Sequence, residues 1–293
     1  MTHLRPRSVL FAPANQVALL QKLPRSGPDI AAVDLEDAVP QGAKGAARQE
    51  AHQAAEWFRA QVPQQAVYLR INAVSSPHFL QDLDVLEAGW DGVILPKVES
   101  AGDLARLSAE LARRGLDGLP VMAGLETVAG VEGVGEILGG AHPPASVYFG
   151  AEDYVADLGG QRTPEGLEVL YPRSRVAAQA RLRGIPALDI VCTSFKDSAA
   201  FTREAKLGRA LGYAGKLCIH PAQVADAHRV FSPSPQEVRR AQALLDAYAA
   251  AQARGAGVLS FEGQMVDAPM LILARATLQA AGREAATEPV EAT

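Results

Sequence analysis

The sequence predicts an α/β protein: a TIM (β/α)8 barrel with a C-terminal helical extension. Three observations carry this. Eight short apolar runs, rich in β-branched residues, recur along the chain. Ala- and Leu-rich segments with helical spacing separate them, so strand and helix signals alternate. No G-x-G-x-x-G follows the first run, which leaves the doubly wound open sheet, the runner-up arrangement, without its dinucleotide signature.

The runs are 8–13 (SVLFAP), 30–36 (IAAVDLE), 66–72 (AVYLRIN), 92–98 (GVILPKV), 121–127 (VMAGLET), 145–151 (ASVYFGA), 187–193 (ALDIVCT) and 215–220 (GKLCIH). Continuous apolar runs of this length suit strands buried on both faces, as in a parallel sheet. Between them, Leu104, Leu107 and Leu111 repeat at i, i+3, i+7, which marks one face of a helix. The stretches 128–138 and 174–183 read the same way. Beyond the eighth run the pattern changes. Residues 221–254 read as two helices with Pro233 and Pro235 between them. A glycine-rich break at 255–257, an apolar stretch at 258–261, a turn at 263–267 (GQMVD) and a last helix over about 268–281 follow. The tail after Gly282 is small, polar and acidic and is expected to be disordered. These signals place the barrel at 1–230 and the extension at 231–293.

A chain of 293 residues that is 48% hydrophobic has enough apolar surface for one large core. The net charge of −5, with no dense Lys/Arg stripe, argues against a nucleic acid or an anionic membrane as partner. No stretch approaches the roughly 20 apolar residues of a membrane span, and residues 1–7 lack the apolar core of a signal peptide. The expectation is a soluble, cytoplasmic protein. Cys192 and Cys218 each lie in an apolar run without a partner at ligand or redox spacing and read as buried thiols.

In a β/α barrel the chemistry sits at the C-terminal ends of the strands. The second run ends in Asp34-Leu-Glu36-Asp37 and the third carries Arg70 and Asn72. The fourth ends in Pro96-Lys97, the fifth in Glu126-Thr127, and the sixth runs into Gly150-Ala151-Glu152-Asp153. The seventh holds Asp189 and Thr193, and the eighth ends at His220. A single Asp after a strand is often a helix N-cap. A ring of acids with Arg70 and Lys97 among them asks for more. Carboxylates crowded at one mouth repel, and a divalent cation relieves that repulsion, with hard oxygen ligands selecting Mg2+. Mg2+ commonly takes one or two protein carboxylates, so Glu126 and Asp153 suffice as direct ligands, with Glu36 and Asp37 acting through water. The small-residue turn at Gly150 and Ala151 offers backbone N–H groups to a substrate carboxylate. Lys97 at a strand end is also where a Schiff-base aldolase places its lysine, but acids around it stabilise the ammonium and oppose nucleophilicity. His220, beside Pro221, reads as a capping or packing histidine.

At this point the chain resembles the citrate lyase β-subunit-like branch of the HpcH/HpaI aldolase superfamily. The matching stretches are 10–15 (LFAPAN) after Arg7-Ser8, 34–39 (DLEDAV), 69–72 (LRIN), 95–100 (LPKVES), 125–127 (LET), 149–153 (FGAED) with 157–159 (DLG), Gly215-Lys216, 220–223 (HPAQ) and 263–269 (GQMVDAP). Their order along about 270 residues makes the match specific. The resemblance implies Mg2+ on Glu126 and Asp153, with Arg70 holding the substrate beside it. It also implies a homotrimer in which the segment carrying Asp267 reaches the barrel mouth of a neighbour. The implied activity is carbon–carbon cleavage, or formation, of a β-hydroxyacyl thioester of CoA or an acyl carrier. Citryl, malyl and citramalyl units are the expected substrates, and a 2-oxo acid and an acetyl thioester the products. Asp267 is the candidate base, with a helix N-cap before Ala268-Pro269 as its plainer role. In malyl-CoA lyase relatives an aromatic, an arginine and a lysine after the first strand help bind CoA. Phe11 and Lys22 keep two of these positions, whereas Gln16 stands where the arginine would. That departure leaves other thioesters open. A thioesterase or pyruvate-type aldolase on the same scaffold, or a non-catalytic metabolite-binding subunit, are the alternatives. The presence together of Glu126, Asp153, Arg70 and Asp267 favours an enzyme.

Overall fold

The structure, a computed structural model, describes residues 6–255 and 259–282. The tail after Gly282, and with it the expectation of disorder, lies outside the described residues, as do 256–258 of the glycine-rich break. The chain divides after His228 into two compact units.

The first unit is built on eight strands in one closed, all-parallel barrel with sequential order. They are β1 (Ser8–Pro13), β2 (Ile30–Asp34), β3 (Ala66–Arg70), β4 (Gly92–Leu95), β5 (Val121–Leu125), β6 (Ser146–Phe149), β7 (Ala187–Asp189) and β8 (Gly215–Cys218). β1 pairs with β2 on one side and with β8 on the other, which closes the ring and leaves no edge. Every strand gives side chains to one interior cluster: Val9, Ile30 and Ala32, Tyr68, Ile94, Met122, Tyr148, Leu188 and Leu217. The barrel is therefore packed solid, and only its ends are free for chemistry.

Among the helices between strands, the expected apolar face is plainest in one, whereas Leu170–Leu182, over the expected 174–183 stretch, buries Arg173 along with Val176, Ala177 and Ala180. Ala101–Arg113 buries Leu104, Leu107 and Leu111 and starts with a capping box of Ser100 and Asp103. The stretch expected as one helix over 128–138 is two, Val128–Glu132 and Val134–Gly139, parted at Gly133. Ala222–Phe231 and Pro235–Ala253 are the two helices expected after β8.

In the second unit, Pro235–Ala253 packs Val238, Ala241 and Leu244 against Leu271, Ala274 and Leu278 of the helix Ala268–Ala280. Ser260–Phe261 and Gln264–Met265 pair antiparallel. Glu262 and Gly263, between them, both have positive φ, as a tight two-residue hairpin turn requires. Among the described residues no helix is long and apolar enough to cross a membrane.

Candidate active site and metal centre

The carboxyl ends of β2 to β6 bring one cluster of ionisable groups together. Its frame is the pair Asp34 and Arg70, which are register partners on β2 and β3. Arg70 donates Nε to Asp34 Oδ1 (2.7 Å) and Nη2 to Oδ2 (2.6 Å). Its Nη1 faces Glu36 Oε2 at 3.2 Å. The guanidinium lies over the Phe11 ring, 5.0 Å from the centroid. Burial disfavours its charge, but Asp34 and Glu36 outweigh that and hold its pKa well above the ordinary arginine value.

Asp34 also shapes the loop beyond β2. It accepts the backbone N–H groups of Glu36 (2.8 Å) and Ala38 (3.2 Å). The buried Lys44 ammonium donates to the carbonyls of Leu35 (2.7 Å) and Glu36 (2.8 Å) and to Asn72 Oδ1 (2.9 Å). Asn72 is in turn held by Asp82. Glu36 and Asp37 thus project from a loop fixed at several points.

Glu126 follows β5 and is 1% exposed. The Tyr148 hydroxyl, reaching from β6, donates to its Oε1. A β-carbon at Gly150 would stand 2.6 Å from Glu126 Cγ, so the bare backbone there makes room for the carboxyl group. Gly124 does the same from below, next to the Tyr148 hydroxyl. Burial first, and the charge of Glu36 second, push the Glu126 pKa up to about 8 against the pull of Arg70; the adjacent Asp153 carboxylate adds to the rise. Asp153 sits in the first turn of the helix Ala151–Leu158, half-exposed. Gly150, the residue capping that helix, offers no side chain to it. The first-turn N–H groups at Ala151, Glu152 and Asp153 therefore have no intrahelical acceptor and form a positive pole at the mouth.

Lys97 lies just past β4 with φ +51, a left-handed conformation that costs a side-chain-bearing residue about 1–2 kcal/mol. The following Val98 N–H is pinned to the Gly124 carbonyl (2.9 Å), so the chain rejoins β5 at once. Lys97 Nζ donates to Glu36 and to Asp37 (3.0 Å to Oδ2) and stands 3.7 Å from Asp153 Oδ1. Burial favours the neutral amine, yet these carboxylates win and raise the pKa above the usual lysine value. Such an amine is a poor Schiff-base nucleophile at neutral pH.

The residues fit a divalent ion. Five carboxylates, Asp34, Glu36, Asp37, Glu126 and Asp153, gather around Arg70 and Lys97, with Lys44 behind the loop, and Asp34 is already neutralised by Arg70. Glu36 Oε2 is buried without a hydrogen bond. Among the described residues no three His, Cys, Asp or Glu side chains converge as a ready cage. Glu126 and Asp153 adjoin one another, and two carboxylates with the other positions left to water and substrate would suit Mg2+ as it is usually held.

Other expected residues fall in different places. Glu152 turns outward to Arg162, with 3.0 Å between its Oε1 and Arg162 Nε. Phe11 is half-buried against the barrel interior. Lys22 and Gln16 are exposed on the segment after β1. Asp267, exposed in the second unit, caps the helix Ala268–Ala280 by accepting the Met270 N–H at 3.1 Å. Asp189, read from the sequence among the mouth acids, is fully buried; it is bound in bidentate fashion by Arg173 and approached by Lys216. Cys192 and Cys218 are buried free thiols. Reasoning from sequence named Asp34 at the rim without giving it a role, and it missed Lys44, Tyr148 and Gly124. Register pairing of Asp34 with Arg70, and of Gly124 with Tyr148, is the signal that would have placed Asp34, Gly124 and Tyr148.

The model of the family described as HpcH/HpaI aldolase/citrate lyase matches residues 7–221. A citrate lyase subunit beta-like protein from Deinococcus radiodurans is 56% identical over 274 residues, covering 93% of this chain and 96% of its own length. Citrate lyase subunit beta from Leuconostoc mesenteroides subsp. cremoris is 33% identical over 282 residues, covering 94% and 93%. Among solved structures, CitE from Mycobacterium tuberculosis in complex with magnesium, acetoacetate and coenzyme A superposes with a TM-score of 0.80 at 31% identity, covering 96% of this chain and 100% of that one. A family model spanning nearly the whole barrel, and relatives aligned almost end to end, establish that the chain belongs to the HpcH/HpaI aldolase/citrate lyase family.

Proposed function

We propose that this chain is a Mg2+-dependent carbon–carbon lyase. It splits a β-hydroxyacyl thioester, such as a citryl, malyl or citramalyl unit on CoA or an acyl carrier, into a 2-oxo acid and an acetyl thioester. The observation that carries the reading is Arg70, clamped by Asp34 and Glu36 beside the Glu126–Asp153 pair. A relative with magnesium, acetoacetate and coenzyme A bound supports it.

The chemistry runs a Claisen condensation backwards. A base takes the hydroxyl proton, a C=O double bond forms on the departing oxo acid, and the C–C bond electrons pass to the thioester as an enolate. The enolate then takes up a proton to become the acetyl thioester. Mg2+ held by Glu126 and Asp153 would acidify the hydroxyl and polarise the new carbonyl. Arg70, with little access to water, stabilises the enolate charge; donors of this kind typically contribute about two to three powers of ten in rate. The first-turn N–H groups at Ala151–Asp153 take the substrate carboxylate. Tyr148, Gly124 and Gly150 keep the Glu126 carboxyl in place. Phe11 and Lys22 would face the carrier arm.

Asp267 is the base in this reading, supplied by a neighbouring chain of a homotrimer. Its capping bond uses one carboxylate oxygen, Oδ1, so the other is available to a proton.

The test is release of a 2-oxo acid from citryl-CoA, malyl-CoA and citramalyl-CoA with and without Mg2+. Mg2+-dependent release from at least one supports the lyase. Free CoA without oxo acid would make the chain a thioesterase instead. No turnover by protein shown to bind Mg2+ would overturn the reading.

A further inference from the structure

Lys97 is one of two side-chain-bearing residues with positive φ among the described residues, and the only one of them in the barrel unit. Its side chain, 29% exposed, bridges two separate acidic elements: Glu36 and Asp37 of the loop after β2, and Asp153 of the helix after β6. The contact to Asp153 is the longest of the three, at 3.7 Å. Asp37 is exposed and Asp153 half-exposed, whereas Glu36 is buried. Lys97 therefore holds Glu36 and Asp37 closely and Asp153 loosely.

This arrangement bears on how strongly the centre attracts a cation. A tethered ammonium beside Asp153 competes for the same lone pairs as an incoming ion. It also removes one negative charge from the field that draws the ion in. The same ammonium pairs with Glu36 and Asp37, whose charges would otherwise add to the field around the ion. We propose that Lys97 is a built-in counter-ion that limits divalent-cation affinity at this centre: it releases Asp153 when the ion enters and keeps Glu36 and Asp37 out of the ligand set. It is a positioning residue, acting through the acids rather than on the substrate. Weak binding of this kind leaves coordination positions to exchange with substrate and product. The inference rests on the proposed metal site.

The test compares wild type with Lys97→Met and Lys97→Arg by calorimetric titration of Mg2+, and by thermal melting in EDTA and in saturating Mg2+. Removing a unit charge a few ångströms from a divalent ion is expected to tighten the Mg2+ Kd roughly tenfold or more. The Met variant should melt lower than wild type in EDTA, where the acids lose their counter-ion, and Mg2+ should close most of that gap. The Arg variant should bind Mg2+ within about threefold of wild type, because it keeps the charge. A Met variant with unchanged or weaker Mg2+ binding would overturn the inference, as would an equal melting loss with and without Mg2+. Wild-type protein that binds no Mg2+ would overturn both this inference and the metal site beneath it.

Discussion

The Asp34 carboxylate takes both Nε and Nη2 of Arg70 across adjacent strands, at 2.7 and 2.6 Å, and turns the remaining nitrogen toward Glu36. Asp34 thereby sets the plane of the guanidinium proposed above to stabilise the enolate charge. It also bonds the backbone of the loop carrying Glu36.

Asp34→Asn keeps the size and removes the charge that orients Arg70. The expected result is a fall in kcat of about a hundredfold, in line with the loss of one aimed donor. Mg2+ affinity should change by less than about threefold, because Glu126 and Asp153 are untouched. Steady-state kinetics and Mg2+ titration separate the two.

Tyr148→Phe removes the hydroxyl that donates to Glu126. That bond lowers the Glu126 pKa, so its loss makes the carboxyl harder to ionise. Mg2+ binding at pH 7 should weaken several-fold and recover as pH rises. An affinity unchanged at pH 7 would show that the hydroxyl does not tune the ligand.

The pKa of Glu126 also predicts how stability varies with pH. Its folded value of about 8 lies above the ordinary 4.5. The folded state therefore holds the proton more tightly, and this contribution is full below about 4.5 and lost as pH rises through 8. Without Mg2+, wild type should lose stability relative to Glu126→Gln over that window, by a few kcal/mol on the order set by such a shift. Saturating Mg2+, which favours the ionised form, should flatten the wild-type curve. Denaturant melts at pH 5 and pH 8.5 measure both.

Gly150→Ala puts a methyl group 2.6 Å from Glu126 Cγ. The backbone there, φ −102 and ψ 97, accepts alanine, so any damage is steric. Displacing the Glu126 carboxyl should cost about 1–3 kcal/mol of stability and weaken Mg2+ binding together. Loss of one without the other would contradict the close approach.

Much of this molecule was legible in the sequence. All eight strands lie where apolar runs predicted them, and the Leu104, Leu107 and Leu111 face is buried as expected. The expected strands ran long at their carboxyl ends: 30–36 against Ile30–Asp34, and 92–98 against Gly92–Leu95. Hydrophobic pattern does not record where ladder hydrogen bonds stop. In a barrel those overhanging residues form the functional rim, and Glu36 and Lys97 are among them. What stayed hidden depends on register. Nothing in Asp34-Leu-Glu36-Asp37 says which acid takes Arg70 until β2 is laid against β3. Tyr148 is masked by the apolar run around it, and Asp189 shares the rim pattern in sequence but is buried beside Arg173 and Lys216. Asp267 stands in a motif at a helix start, and its cap is visible; its proposed role as base rests on the family resemblance.

The most direct test titrates Mg2+ into wild type and Glu126→Gln while following oxo-acid release from the best of the three CoA thioesters. Both proteins are first checked for equal folded content by circular dichroism. Wild type should show saturable Mg2+-dependent turnover and the variant a loss of at least about a hundredfold, as expected when a metal that stabilises transition-state charge loses a direct ligand. Full turnover by metal-free wild type, or by Glu126→Gln, would contradict the metal assignment.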